Sequence, residues 1–340
     1  MPAPSLVSLT QRLTQRTEAW FARHQRPLPW RATYDPYHVW VSEVMAQQTR
    51  LEVVIAYFER FLTKFPTLAA LASATEDEVT AAWSGLGYYR RARMLREGAI
   101  DVQQRFGGRI PSTVEELLTI PGIGRYTAGA IASIAHGTHA PIVDGNVTRI
   151  VARLFGTDAA AGSPVFWTHA EALVEACRSP RDFNQGLMEI GALICKPRNP
   201  LCLMCPVSDD CVARATGRID ELPVKKEKKA PRAMRIPLYL VRDGEGRVLM
   251  RRESGPLMNA MFHLPHGNTS LFSGEPLAIL SKRLLGTFKH TVTTRKIEFA
   301  LYAAEVPPVE GGDYAWIATD TMEAVPHPSY VAKALALAAR

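Results

Sequence analysis

Two carboxylates, four cysteines and one glycine hairpin are the residues of this chain whose types and spacing could do chemistry. Cys195, Cys202, Cys205 and Cys211 follow the pattern Cys-x6-Cys-x2-Cys-x5-Cys. Four thiolates can therefore converge on one centre, and both zinc and a [4Fe-4S] cluster accept four cysteines. Spacing alone does not choose between them. Cys177 lies outside the pattern and is expected as a small core residue. In DPYHVWVSEVMAQQTR, Glu43 falls three residues after Trp40 and four after Val39, so it shares a helix side with apolar groups. A carboxylate desolvated there has a raised pKa and stays protonated, the other reading being a solvated or paired surface glutamate. Asp144 stands just ahead of a helical pattern in PIVDGNVTRIVARLFG, where an ordinary N-cap aspartate is the alternative to a chemical role. Finally, LTIPGIGRYTAGAIASIA places Pro-Gly-x-Gly, with Gly122 and Gly124, between two helices. Backbone N–H groups in such a turn suit a phosphate, although the same glycines also serve a plain helix-helix turn.

The elements that must position these groups are mostly helices. From residue 5 to about 217, apolar residues recur at three and four, as in Val39, Trp40, Val44 and then Leu51, Val54, Ile55, Phe58. Ser112 followed by Glu115 reads as a capping box opening a helix over Glu115–Leu118, which Pro121-Gly122 stops. A further helix is expected from about Arg125 to Ala135. The run Arg90, Arg91, Arg93, Arg96 after Tyr88-Tyr89 reads as phosphate contacts or as a solvated face. Between Pro223 and Arg235, six basic residues against one acid, with two prolines, read as an exposed linker. Beyond Ile236 the pattern changes to short β-type runs, IPLYLVR, RVLMRR and KIEFALYAAEV, with helix-like stretches near 276–285 and 329–339. That is the pattern of a smaller α+β domain.

The 340 residues carry a formal charge of +7, which favours a polyanionic partner. Five cysteines, four of them within seventeen residues, do not make a secreted disulfide framework. No run approaches 18 apolar residues, and the first ten residues lack both a basic and an apolar signal region. A cytoplasmic chain without a membrane span is expected.

Jointly these pieces resemble the helix-hairpin-helix DNA glycosylases with an iron-sulfur cluster, and specifically the MutY-type adenine DNA glycosylase family. The matching segments are RPLPWR (26–31), PYHVWVSEVMAQQTR (36–50), GLGYYRRAR (85–93), IPGIGRYTAGA (120–130), VDGNVTRI (143–150), FNQGLMEIGALIC (183–195) and the cysteine loop. The resemblance implies a mostly α catalytic region over 1–222, with a six-helix barrel bearing the hairpin over about 30–138. An iron-sulfur subdomain would take about 1–29 plus 139–222. The basic linker at 223–235 and a nudix-like α+β domain at 236–340 complete the expected organisation.

The implied reaction is hydrolysis of the N-glycosidic bond of adenine mispaired with 8-oxoguanine or guanine. Glu43 and Asp144 would be catalytic, oriented by Tyr126 and Asn146. Arg26, Leu28, Trp30, Arg31 and Gln185 would form the adenine pocket, with Gln48, Tyr88, Gly122 and Gly124 on the DNA. The four cysteines would hold a [4Fe-4S] cluster. Tyr126 stands where the lyase branch has a Schiff-base lysine, so a monofunctional enzyme is implied. Its partner would be double-stranded DNA containing an adenine mispair, bound by a monomer at a bacterial-type nucleoid.

The C-terminal resemblance rests on VLMRRESGPLMNAMFHLP and FKHTVTTRKIEFALY. Only one acid, Glu275, lies in 267–290, so nucleotide hydrolysis is not expected. Where the family has a Phe-Ser-His tip, this chain has Val292-Thr293-Thr294. Thr293 keeps a hydroxyl, and Thr294 and the nearby loop residue His290 complete the lesion-recognition candidates. Two other readings remain at this point: a related glycosylase with altered lesion or mispair specificity, and a non-catalytic DNA-damage sensor.

Overall fold

Asp35 shows how local chemistry sets the helical register. Its carboxylate accepts the N–H groups of Tyr37 (2.9 Å) and His38 (3.1 Å), and Pro36 occupies the first helical position, where its missing donor is harmless. The helix so started, α2 (Pro36–Ala46), is buried along nearly all its length, which brings Glu43 inside. This is seen in a computed structural model that describes residues 6–224, 232–253, 261–267, 277–292, 295–309, 312–322 and 325–339.

The other helices are α1 (Leu6–His24), α3 (Leu51–Lys64), α4 (Leu68–Ser73), α5 (Glu76–Ala82), α6 (Arg90–Arg105), α7 (Val114–Leu118), α8 (Arg125–Ala130), α9 (Gly145–Phe155), α10 (Val165–Ala176), α11 (Pro180–Leu193), α12 (Val212–Ala215) and α13 (Ser329–Ala338). Contacts group the described residues into two units. One draws on Met1–Glu59, Thr67–Ala72 and Glu97–Glu227, the other on Arg60–Pro66, Ser73–Arg96 and Lys228–Arg340.

In the first unit, Phe21, Val39, Ile142, Val151, Phe166, Phe183 and Ile190 share one core in which Cys177 is also buried. The expected cap at Ser112 is one residue off. Thr113 caps α7, accepting the Glu116 N–H at 3.3 Å and donating to the Glu116 carboxylate at 2.8 Å. Ser112 instead offers its carbonyl to the Thr138 hydroxyl. The expected helix over 125–135 is present, but it widens to a π-helical turn over Ile131–Ala135. Buried Asn184 of α11 fastens that turn by donating to Ser133 Oγ (2.8 Å) and to the Ala140 carbonyl (2.9 Å).

In the second unit, β1 (Arg232–Leu240) pairs parallel with β5 (Arg295–Glu305), and β4 (Ser281–Val292) pairs antiparallel with β5. A second sheet has the order β3 (Phe262–His263), β2 (Val248–Arg252), β6 (Tyr314–Ile317). Two expectations need correction here. Strand β1 starts at Arg232, inside the basic stretch, because Arg232–Arg235 find partners in Arg295–Glu298. The helix-like stretch near 276–285 is strand from Ser281 onward: ladder pairing with Ala303–Glu305 outweighs a helical pattern whose residues are exposed in this fold. The 329–339 helix is α13. Among the described residues no helix is long and apolar enough to cross a membrane.

Candidate active site

Glu43 is 8% exposed, and its Oε2 accepts a 2.7 Å hydrogen bond from the Tyr126 hydroxyl. Burial pushes its carboxyl up to about 7, with the nearby Asp144 charge adding to the rise and the Tyr126 bond and Arg31 opposing it. The displacement represents about 3 kcal/mol against the ionised form. Burial likewise drives the Tyr126 phenol well above its ordinary value, so Tyr126 remains a donor. Its hydroxyl also lies 3.3 Å from Met188 Sδ of α11.

Asp144 sits at the N-cap of α9, so the structural role and the candidate role coincide in one residue. Its Oδ1 accepts the Val147 N–H at 2.7 Å and its Oδ2 accepts the Asn146 amide at 3.0 Å. Burial raises the Asp144 carboxyl, while these donors and Arg149 pull the other way. The Asn146 amide is oriented in turn by Arg149, which donates to Asn146 Oδ1 (2.8 Å), the Gly191 carbonyl (2.7 Å) and the Cys195 carbonyl (2.6 Å).

Gly191 makes this approach of α11 possible. A Cβ added there would stand 2.5 Å from Asn146 Cβ. Gly191→Ala is accordingly expected to cost about 1–3 kcal/mol through overpacking, read as a lower denaturant midpoint. An unchanged midpoint would mean that α11 can slide away from Asn146 freely.

The pocket candidates converge on one acid. Arg26 donates to Glu189 Oε2 (2.8 Å), and Arg31 donates to Glu189 Oε1 (2.7 Å) and to Gln185 Oε1 (2.8 Å). Glu189 and Gln185 are buried on α11, and the Arg31 side chain is nearly so. A buried carboxylate bridged by two guanidiniums is well paired, as such a charge must be. Leu28 and Trp30 are buried beside them, Trp30 edge-on to Phe58 at 5.2 Å.

Gln48 is exposed with φ of 58°, and Tyr88, in the second unit, is exposed with φ of 51°. Positive φ is uncommon for such residues and marks backbone held against its preference. Gly122 takes φ of 81° in the hairpin, and Gly124 caps α8 with nothing within 4 Å of where a Cβ would stand. The arginine run, expected either as phosphate contacts or as a solvated face, is mostly engaged within the protein. Arg91 lies against the Trp83 and Tyr88 rings, Arg93 faces Glu76 at 3.9 Å, and Arg96 donates to the Ala74 carbonyl. Arg90 is exposed.

The cysteine loop closes against α9. Cys195, Cys202, Cys205 and Cys211 line one cavity, together with Arg153, Ile194, Pro200 and Ile219. Among the described residues no three His, Cys, Asp or Glu side chains gather closely enough for a single metal ion. Four cysteines lining one cavity are the donor set that a [4Fe-4S] cluster takes. Buried Arg153 stands 3.4 Å from Cys195 Sγ and suits an anionic group. Arg12 of α1 anchors the loop's far side through paired bonds of 2.7 and 3.1 Å to Asp210.

Comparison with known proteins agrees with this geometry. Residues 41–175 match the profile of the HhH-GPD superfamily base excision DNA repair protein, and 195–211 match the iron-sulfur binding domain of endonuclease III. An adenine DNA glycosylase of Mycobacterium tuberculosis (strain CDC 1551 / Oshkosh) is 38% identical over 221 residues, covering 64% of this chain and 72% of the relative. The chain belongs to the adenine DNA glycosylase family.

Another member of the adenine DNA glycosylase family, from Rattus norvegicus, is 47% identical over 221 residues, 60% of this chain and 43% of the relative. The chain thus spans less than half the length of that mammalian relative. The solved structure of a thermostable thymine-DNA glycosylase superposes with a TM-score of 0.57 at 30% identity, covering 62% of this chain and 98% of that one. The cysteine loop of this family member is an iron-sulfur site of the [4Fe-4S] type, and the cavity and donor set above fit it.

Of the C-terminal candidates, Thr293 and Thr294 lie outside the described residues. His290 is not a loop residue. It is half-buried in β4, paired with Ile297 and 5.9 Å from the Tyr330 ring, and burial with the Lys333 charge lowers its pKa. Sequence reasoning misses Glu189, Arg149, Arg153 and Met188. For Glu189 a signal exists: it is an acid four residues after Gln185 on an apolar helical run, the same pattern that singles out Glu43.

Proposed function

We propose that the protein is a base excision repair DNA glycosylase that hydrolyses the N-glycosidic bond of adenine mispaired with 8-oxoguanine or guanine. The observation that carries this reading is a pair of carboxylates in unlike environments. Glu43 is buried with one hydroxyl partner and poised near neutrality, while Asp144 is held by N–H donors at a helix start. Environments that differ in this way divide acid and base work between two carboxyl groups.

The target base must leave the duplex, because its reacting atoms are inaccessible in the stack. Gln48 and Tyr88 enter the stack, and the bare backbone at Gly122 and Gly124 receives a phosphate. Arg26, Leu28, Trp30, Arg31 and Gln185 enclose the extruded adenine, with Glu189 fixing both arginines. Protonated Glu43 gives its proton to adenine N7, and the C1′–N9 bonding electrons leave with the base. Ionised Asp144 stabilises the oxocarbenium-like sugar or adds to C1′. The Glu43 carboxylate then takes a proton from the water that attacks C1′. Tyr126 and Asn146 orient the two carboxyls, and Tyr126 has no amine for a lyase step.

Cys195, Cys202, Cys205 and Cys211 would hold the cluster, which when bound cross-links the loop at four points. Arg149 joins the Cys195 carbonyl to Asn146 and so keeps that loop in register with Asp144. The division would be a catalytic region over 1–222 and a nudix-like lesion-reading domain whose first strand, β1, begins at Arg232, ahead of the 236–340 expected. The working form would be a monomer on mispaired duplex at a bacterial-type nucleoid in the cytoplasm.

Single-turnover release of adenine, opposite 8-oxoguanine and opposite guanine at one salt concentration, tests the reading. Faster release from the first duplex is expected, and no release from either overturns it. The pH dependence is a further check. Glu43 acts protonated, so the rate should fall as pH rises through about 7, approaching tenfold per pH unit. The Tyr126 bond lowers the Glu43 value, so Tyr126→Phe should move that fall to higher pH. A rate flat across neutrality contradicts the assignment of Glu43.

A further inference from the structure

The turn that presents Tyr88 is fastened from several sides within the second unit. Gly85, Gly87 and Tyr88 take φ of 97°, 74° and 51°. The buried Trp83 indole donates to the Gly87 carbonyl at 3.1 Å, and Arg91 donates to the same oxygen at 3.2 Å. Tyr89, buried next to Tyr88, links this turn to another part of the unit. Its hydroxyl accepts the Gly85 N–H at 3.2 Å and donates to the main-chain carbonyl of His327 at 2.9 Å. Ser84 Oγ donates to that carbonyl as well, at 3.2 Å.

His327 belongs to the short strap entering α13. The neighbouring Pro326 carbonyl accepts the Phe262 N–H of β3 at 2.8 Å. In the first turn of α13, the Tyr330 ring stacks on Phe299 of β5 at 4.5 Å and meets His290 of β4 at 5.9 Å. A second fastening, from Arg252 of β2 to Asp77 of α5, has paired bonds of 2.6 and 3.0 Å. Packed and bonded groups thus run without a break from β4 and β5, through α13 and the strap, to the turn of Tyr88.

We propose that Tyr89 is a positioning residue whose hydroxyl ties the Tyr88 turn to the His327 strap, so that the seat of the C-terminal strands sets how Tyr88 enters the base stack. This rests on the reading of Tyr88 as a stacking residue. A contiguous path alone does not demonstrate coupling, so the test must read Tyr88 itself.

The experiment uses the full chain and a mispaired duplex with 2-aminopurine beside the base opposite adenine, whose fluorescence reports stacking. Tyr88→Ala sets the zero. Tyr89→Phe keeps the buried ring and should weaken the Tyr88-dependent equilibrium about three- to tenfold, as loss of one or two hydrogen bonds implies. Its thermal midpoint should stay close to that of the unsubstituted protein. Ser84→Ala, which removes a bond to the strap and spares the Tyr89–Gly85 bond, should shift the equilibrium the same way by less.

An unchanged signal in Tyr89→Phe overturns the proposal, as does a Ser84→Ala signal equal to that of the unsubstituted protein. Absence of any Tyr88-dependent signal overturns it too. Adenine release in the same samples separates the two readings. Stacking without release refutes the glycosylase and leaves the coupling decided by fluorescence.

Discussion

Glu43→Gln is expected to bind mispaired duplex as well as the unsubstituted protein does and to release adenine roughly 10²- to 10⁴-fold more slowly or worse. Glutamine has the same shape, and its amide oxygen can still accept the Tyr126 hydroxyl that now bonds Glu43 at 2.7 Å. What it cannot do is deliver a proton to N7 or later take one from water. Misfolding cannot mimic this result, because the substitution relieves the fold. The Glu43 carboxyl is raised by burial to about 7, so its ionised form is disfavoured in the native state by about 3 kcal/mol. Stability lost to Glu43 should therefore grow as pH rises from the ordinary carboxylate range through about 7. The glutamine variant should lack that loss and be at least as stable at higher pH. Near-normal turnover by a stable Glu43→Gln variant would remove Glu43 from the chemistry.

Much of this site is legible in the amino-acid sequence, and the reasons differ by residue. Glu43 is legible because an acid on an apolar helix side must be desolvated when that side packs. The cysteine loop is legible because close spacing leaves few places for four thiolates to go. Arg149 is hidden, since its role comes from α11 crossing near α9, and Glu189, although an acid on an apolar helical run, shows no sign in the sequence that Arg26 and Arg31 meet it. The arginine run misleads for a related reason. Arg91, Arg93 and Arg96 have the composition of a phosphate-facing strip, yet the Trp83 ring, Glu76 and the Ala74 carbonyl take them up. In the C-terminal part, strands with strong alternation stand out, whereas the stretch near 281 resembles a helix because edge-strand β4 exposes both faces there. An edge strand with one partner and little burial leaves no period-two signal.

Asp144→Asn gives the sharpest separation of structural from chemical roles. Asparagine is as good an N-cap as aspartate, so the bond from the Val147 N–H, 2.7 Å in the native site, can persist and α9 need not fray. Asp144→Ala would lose the cap, at about 1 kcal/mol, and would confuse the two roles. With the cap kept, the charge and the acceptor for the Asn146 amide are removed, and with them the stabilisation of positive charge at C1′ and any covalent adduct there. Adenine release should fall roughly 10²- to 10⁴-fold, within the range in which preorganised charges act on transition states, while the denaturant midpoint moves little. The Asn146 amide donates to the second oxygen, Oδ2, at 3.0 Å while Arg149 holds Asn146 Oδ1, so asparagine, with its one amide oxygen kept on the Val147 N–H, gives up the bond from Asn146. If Asp144→Asn retained activity within a few fold, the residue would be a helix cap and no more, and Glu43 would act without an anionic partner. If activity is lost with the midpoint intact, the carboxylate is required for the chemistry, and the protein sets the acid, Glu43 of α2, apart from the anion at the N-cap of α9.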